Sequence, residues 1–155
     1  MGLLLLILTA ALVDLAVKSA IEEADPSEFP RELEGSRGVI MLHRNQNAGF
    51  PMGIFRNKPE LVKGLPVVVL SGVAGIFFWV YPKRGHLAEK LGTSLVLGGG
   101  LSNLYDRMKK GYVVDYFSIR VGKLKKVVFN LGDIFIFLGA GMMLLAEIAE
   151  AVRER

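Results

Sequence analysis

Cysteine is absent from all 155 residues. Disulfides, thiolate metal sites and cysteine nucleophiles are therefore excluded. Histidine occurs only at His43 and His86, too sparsely for a zinc-binding cluster. A serine–histidine triad lacks the Gly-x-Ser-x-Gly elbow that would present its nucleophile. No Gly-x-x-x-x-Gly-Lys follows the "GGG" at 98–100, so those glycines read as close helix contacts and not as a phosphate cradle. Charged residues make up 22% of the chain and the net charge is +4. No metal and no cofactor is expected.

Apolar residues are plentiful, at 52%, and they come in blocks. Four segments read as membrane helices: 2–18, 65–81, 87–107 and 127–149. A span needs about 20 mainly apolar residues, with about 17 as the lower limit. The second and fourth pass as they stand. The first and third pass only if a few polar residues are buried against partner helices. Pro66 falls near the start of the second, where its missing N–H does no harm. A soluble bundle is disfavoured because "LPVVVLSGVAGIFFWVY" is apolar on every face. A cleaved signal peptide is disfavoured because the N-terminal run lacks a basic start and carries Asp14 and Lys18 where cleavage would fall.

Residues 19–63 form a long connection. Its first half is acidic and polar. Its second half has β-like residues around an Asn/Gly/Pro turn cluster. A small extramembrane β element is expected within 36–56 and 112–121, the second stretch pairing with the first. The fold class is thus an all-α membrane protein, a four-transmembrane-helix bundle with a small β element, and 1–155 is expected to form one integral membrane domain.

Consecutive spans alternate in direction. The end of helix one, the start of helix two, the end of helix three and the start of helix four therefore share one membrane face. Asp14, Lys18, Asn47, Asn103, Asp106, Arg107, Asp115, Asn130 and Asp133 all fall there. An ionisable residue in a bilayer is costly and normally faces the bundle interior or a water-filled cavity. Two carboxylates in one poorly hydrated site do not both ionise easily, so the pair holds a single proton at neutral pH. Such a pair activates water without metal or thiol. Asp115 and Asp133 are mildly favoured, because the chain reverses between them. Asp106 beside Arg107 reads as a helix-end structural ion pair or a hydrogen-bond acceptor, and Asp14 stands beside Lys18. The rival reading is a non-enzymatic bundle, an ion or proton conductor or an assembly factor. It would need polar groups along the full membrane depth, and the inner half lacks them.

Assembled in order, these residues resemble the lipoprotein signal peptidases (signal peptidase II), bacterial membrane aspartyl proteases. The elements are "DLAVK", "NAGFPMG", "GGGLSNLYDRMKKGYVVDYF" and "FNLGD". The resemblance implies a catalytic dyad at Asp115 and Asp133. It implies substrate-supporting roles for Asn47, Gly49, Asn103, Arg107 and Asn130, and structural roles for Asp14, Lys18 and Asp106. It implies cleavage of a diacylglyceryl-modified prolipoprotein before the lipidated cysteine, with globomycin-type peptides as inhibitors. The expected setting is the bacterial cytoplasmic (inner) membrane, multi-pass, with the site toward the outer face. The expected partners are membrane lipids and no nucleic acid, and the chain is expected to act as a monomer. Pro51, Met52 and Gly132 stand where the family usually has Ala, Phe and Ala, and Tyr116 replaces a frequent Phe.

Charge placement pulls the other way. Lys and Arg number six in 19–63 and six in 108–126, both outside in that orientation. The inner side holds only Lys83, Arg84, Lys90, Arg153 and Arg155. The positive-inside rule alone favours the reverse orientation. The rule discounts long loops, and the basic stretch 107–126 is suited to anionic headgroups.

Overall fold

The structure, a computed structural model, describes residues 1–50 and 53–153. Pro51 and Met52, two of the departures noted above, lie outside the described residues. Four helices carry the chain: α1 (Gly2–Glu23), α2 (Pro59–Val80), α3 (Leu87–Lys109) and α4 (Leu131–Arg153). Three short strands, β1 (Arg31–Glu32), β2 (Ile40–Asn47) and β3 (Val113–Ile119), form one antiparallel sheet in the order β1-β2-β3.

Helices α1, α2 and α4 are long and apolar enough to cross a membrane. Their outward faces are greasy: Leu5 and Leu8 on α1, Val68 and Phe78 on α2, and Phe137 and Leu145 on α4 are all exposed. In water such a surface would be untenable, and in lipid it is the solvated face. Helix α3 is the more polar one and sits at the centre, against the other three. Its glycines allow this. A Cβ on Gly98 would lie 2.7 Å from the Ala10 Cβ of α1. One on Gly99 would lie 2.2 Å from the Gly132 carbonyl at the start of α4, and one on Gly100 2.4 Å from Leu70 of α2. Three consecutive residues thus admit three neighbours. Without a hydrophobic drive inside lipid, close backbone approach is what holds helices together. Ile7, Leu70, Phe77 and Leu97 fill the space between α1, α2 and α3.

Local chemistry sets the ends. Asp25 precedes Pro26, which disfavours the helical conformation and stops α1; the Asp25 carboxylate then accepts from Ser27 N–H at 2.8 Å. Pro59 opens α2 at a position where its missing N–H costs nothing. That corrects the reading of Pro66, which lies inside α2 and not near its start, and so deletes a helical hydrogen bond. α3 closes on Gly111 (φ +82°), whose N–H reaches the Arg107 carbonyl at 3.2 Å.

The expected β element is present, and its two stretches pair: Asn45 faces Asp115 and Asn47 faces Val113. Strand β1 was not expected, because Arg31–Glu32 lies in the polar half of the connection. It is held by backbone pairing to Met41 and Leu42, which leaves no hydrophobic signature. Val114 and Tyr116 pack with Ile21 of α1, anchoring the sheet to the bundle.

Candidate active site

Every polar residue placed by parity on one face does gather at that end of the bundle. The gathering has two layers.

The deeper layer surrounds Lys18, which is fully buried. Its ammonium lies 2.7 Å from Asp14 Oδ2 and 3.5 Å from Asp106 Oδ2. It donates to Asn103 Oδ1 at 2.7 Å and to Ser102 Oγ at 3.1 Å. Asp14 also accepts from Ser102 Oγ at 2.5 Å and from the Tyr116 hydroxyl at 3.0 Å. Asp106 Oδ2 accepts from Val114 N–H at 3.2 Å, tying α3 to β3. Its other oxygen makes a charge contact with Lys110 Nζ at 2.8 Å, and Lys110 also pairs with Glu22. Of the two roles open for Asp106, the hydrogen-bond acceptor holds and the ion pair with Arg107 is absent among the described residues: neighbours on a helix point about 100° apart, and Asp106 turns to Val114 N–H and to the two lysines. Breaking a buried pair from one side typically costs about 3–5 kcal/mol, so Lys18 is the joint between α1 and α3.

The outer layer holds Asp115 and Asp133. Asp115 lies on β3 and accepts from Asn47 Nδ2 at 3.1 Å and from Asn130 Nδ2 at 2.9 Å. Asn47 reaches it diagonally across the β2–β3 ladder. Asn130 reaches it because Phe129 forms a bridge to Phe117, laying the chain before α4 beside β3. Asp133 lies on the first turn of α4. It accepts from Asn103 Nδ2 at 2.9 Å and from Asn130 N–H at 3.2 Å, while its own N–H donates to Asn130 Oδ1 at 2.9 Å. Residues 130 and 133 therefore form a reciprocal capping box. Asn130 touches both carboxylates at once.

The electrostatics follow from this setting. Burial, reinforced by the charge of Asp133, pushes the Asp115 carboxyl up to about 6, against the lowering pull of Asn47 and Asn130. Burial first, then the charge of Asp14, pushes the Tyr116 phenol up, so its hydroxyl stays protonated.

Arg107 is buried yet loosely held. Its hydrogen bonds to the Asn103 and Gly49 carbonyls are long, 3.4 and 3.5 Å, and its Nε has no partner among the described residues. The guanidinium stands 5.4 Å from the Phe50 ring centre. Gly49 donates its N–H to Asn47 Oδ1 at 3.0 Å, and a Cβ there would lie 2.8 Å from the Ile54 carbonyl. That glycine fixes the turn that presents Asn47.

Sequence reasoning missed Tyr116, Ser102 and Lys110. The Tyr116 hydroxyl donates to Asp14 and accepts Leu131 N–H at 2.9 Å, so it links α1 to the start of α4. Its only signal was a hydroxyl where a phenylalanine is frequent.

Two carboxylates from different elements, steadied by amides at the polar end of an apolar bundle, are the equipment of a membrane aspartyl hydrolase. Comparison with known proteins agrees. The family model for signal peptidase (SPase) II matches residues 6–149. The lipoprotein signal peptidase of Allorhizobium ampelinum is 33% identical, over 94% of this chain and 86% of its own. That of Halothermothrix orenii is 33% identical, over 91% of both chains. A bacterial membrane enzyme solved at 2.3 Å superposes with a TM-score of 0.84 at 18% identity, over 99% of this chain and 92% of that one. A second, at 1.9 Å, gives 0.77 at 20% identity, over 94% and 91%. The chain belongs to the signal peptidase II family.

Proposed function

We propose that Asp115 and Asp133 are the catalytic dyad of a peptidase that removes the signal peptide from diacylglyceryl-modified prolipoproteins, cutting before the lipidated cysteine. Family membership makes the chain an aspartic-type signal peptidase acting on prolipoproteins. The observation that supports the assignment of residues is the double grip of Asn130 on both carboxylates.

The chemistry needs one proton shared between two acids. The ionised carboxylate takes a proton from water as the water oxygen attacks the scissile carbonyl carbon. The protonated carboxyl gives its proton to the carbonyl oxygen, stabilising the tetrahedral intermediate. On collapse that proton returns, the C–N bond breaks, and the amine leaves with the proton taken from water. Asn47, Asn103 and Asn130 hold the carboxyl planes. Arg107, buried with underused donors, receives a substrate carbonyl, and Gly49 keeps the backbone beside it tight. Asp14, Lys18 and Asp106 keep the helix ends in register. Apolar helix faces admit the diacylglyceryl chains and the apolar signal segment from the bilayer. The setting is the bacterial inner membrane with the site toward the outer face, the chain working as a monomer and open to globomycin-type peptides.

The test is cleavage of a diacylglyceryl-modified prolipoprotein by purified protein in detergent. Asp115→Asn and Asp133→Asn should each lose about 10³-fold or more in rate, the scale of general acid–base catalysis. Both should keep a cooperative thermal transition, which shows that the fold survives the substitution. Turnover by either variant at the wild-type rate removes the dyad. A wild-type protein that binds a globomycin-type peptide but leaves the lipidated substrate intact removes the substrate assignment.

A further inference from the structure

Charge on the site's face is divided unevenly. The connection 19–63 carries six Lys and Arg against seven Asp and Glu. The stretch 108–126 carries six against one, and that one is the buried Asp115. Lys110 is neutralised by Glu22 and Asp106. Among the described residues, Lys109, Arg120, Lys125 and Lys126 are exposed and pair with no carboxylate.

Three of these cations, Arg120, Lys125 and Lys126, flank two apolar residues in sequence, Val121 and Leu124. Residues 122–126 form a 3₁₀ turn, closed by Leu124 N–H on the Val121 carbonyl at 3.1 Å. Val121 is the extended residue that precedes the turn, and Leu124 lies within it. Both are exposed, at 58% and 45%. Neither belongs to the buried clusters of the bundle. On the last turns of α3, Lys109 Nζ donates to the Tyr105 hydroxyl at 2.9 Å, and the Tyr105 ring is exposed. An exposed tyrosine beside a lysine at the end of a spanning helix marks the headgroup level.

We propose that Val121 and Leu124 insert at the membrane surface while Lys109, Arg120, Lys125 and Lys126 bind anionic phospholipid headgroups. The surface is separate from the carboxylate pair and independent of the peptidase assignment. It accounts for a basic stretch on a face where the positive-inside rule expects few cations: the charges are matched locally by lipid phosphates. Each cation near an anionic surface is worth about 1 kcal/mol, or about fivefold in partition. An amphipathic element of this kind gains from burying its apolar edge as well.

The experiment places the protein in nanodiscs of phosphatidylcholine, alone or mixed with phosphatidylglycerol, and attaches an environment-sensitive probe to Leu124→Cys. With phosphatidylglycerol the probe emission should shift to the blue, and 0.5 M salt should reverse the shift. Spin-labelled lipids should show phosphatidylglycerol enriched about fivefold or more around the protein. The variant K109Q/R120Q/K125Q/K126Q should lose both effects and still cleave substrate in pure phosphatidylcholine at the wild-type rate. Identical emission and lipid contact in the two wild-type nanodiscs overturns the proposal, as does full anionic preference in the glutamine variant. The wild-type comparison stands without any variant, so misfolding of the glutamine protein cannot mask the answer.

Discussion

Asp115 carries a pH dependence that can be read in stability as well as in rate. Its carboxyl titrates at about 6 in the fold and at about 3.9 in an unfolded chain. Between those values the folded state keeps a proton that the unfolded chain releases. The contribution of this group is therefore full below about pH 4 and is lost as pH rises through 6, by at most about 3 kcal/mol. Asp115→Asn removes the titration. The thermal midpoint of the variant, relative to wild type in the same detergent, should rise between pH 4.5 and pH 7.5. A constant difference across that range would place the Asp115 titration elsewhere. In activity, kcat/KM of the wild type should have its alkaline limb at or above about pH 6, where the pair loses its shared proton. Asn130 shows why the proposed dyad was only partly legible in the sequence. Its three-residue spacing from Asp133 is a capping signature that can be read directly. Its contact with Asp115 depends on the Phe117–Phe129 bridge, a long-range pairing that no local spacing reports.

At the scale of elements, α3 shows how the fold is held. Its run "LGGGLSN" is too polar and too small to drive insertion, yet each glycine meets a different neighbour. Gly99→Ala would place a methyl 2.2 Å from the Gly132 carbonyl. Backbone cannot yield there cheaply, because Gly132 lies two residues after Asn130 and immediately before Asp133. Overpacking of this kind costs about 1–3 kcal/mol. Gly72→Ala is the control: nothing lies within 4 Å of its Cβ position, and alanine is the better helix former by about 1 kcal/mol. Melting in detergent should therefore separate the two, Gly99→Ala falling by several degrees and Gly72→Ala holding or rising. Equal midpoints would mean that α3 and α4 do not approach this closely. Gly132 itself is explained by the same contact. A Cβ there would lie 2.8 Å from Asp14 Oδ2, so the alanine usual in the family does not fit beside the Asp14 carboxylate in this chain. The sequence announced α1, α2 and α4 through continuous apolar runs. It announced α3 poorly, because a central helix is shielded by protein and needs no greasy exterior. The ends of the helices were misplaced where termination rests on Asp25-Pro26 or on Pro59, and not on loss of hydrophobicity.

For the whole molecule, orientation in the membrane decides which compartment the polar face meets. The polar face carries the proposed dyad, the sheet and most of the cations, and simple counting of lysine and arginine would turn that face inward. The lipid binding proposed for Lys109, Arg120, Lys125 and Lys126 would remove the conflict and leave the proposed outward orientation standing. The absence of native cysteine makes this directly testable. Glu34→Cys lies beside the sheet and Arg84→Cys between α2 and α3, and both positions are exposed. Single variants expressed in a Gram-negative host with a permeabilised outer membrane can be treated with a maleimide that does not cross the inner membrane. The Glu34→Cys protein should react in intact cells, and the Arg84→Cys protein only after lysis. The opposite pattern would place the peptide-cutting face in the cytoplasm, where an exported prolipoprotein does not present its modified cysteine. It would leave the site geometry untouched but overturn the route by which substrate reaches it. The apolar exteriors of α1, α2 and α4 fit either orientation, so only the loops hold this information. Labelling at one residue on each face is enough to decide it.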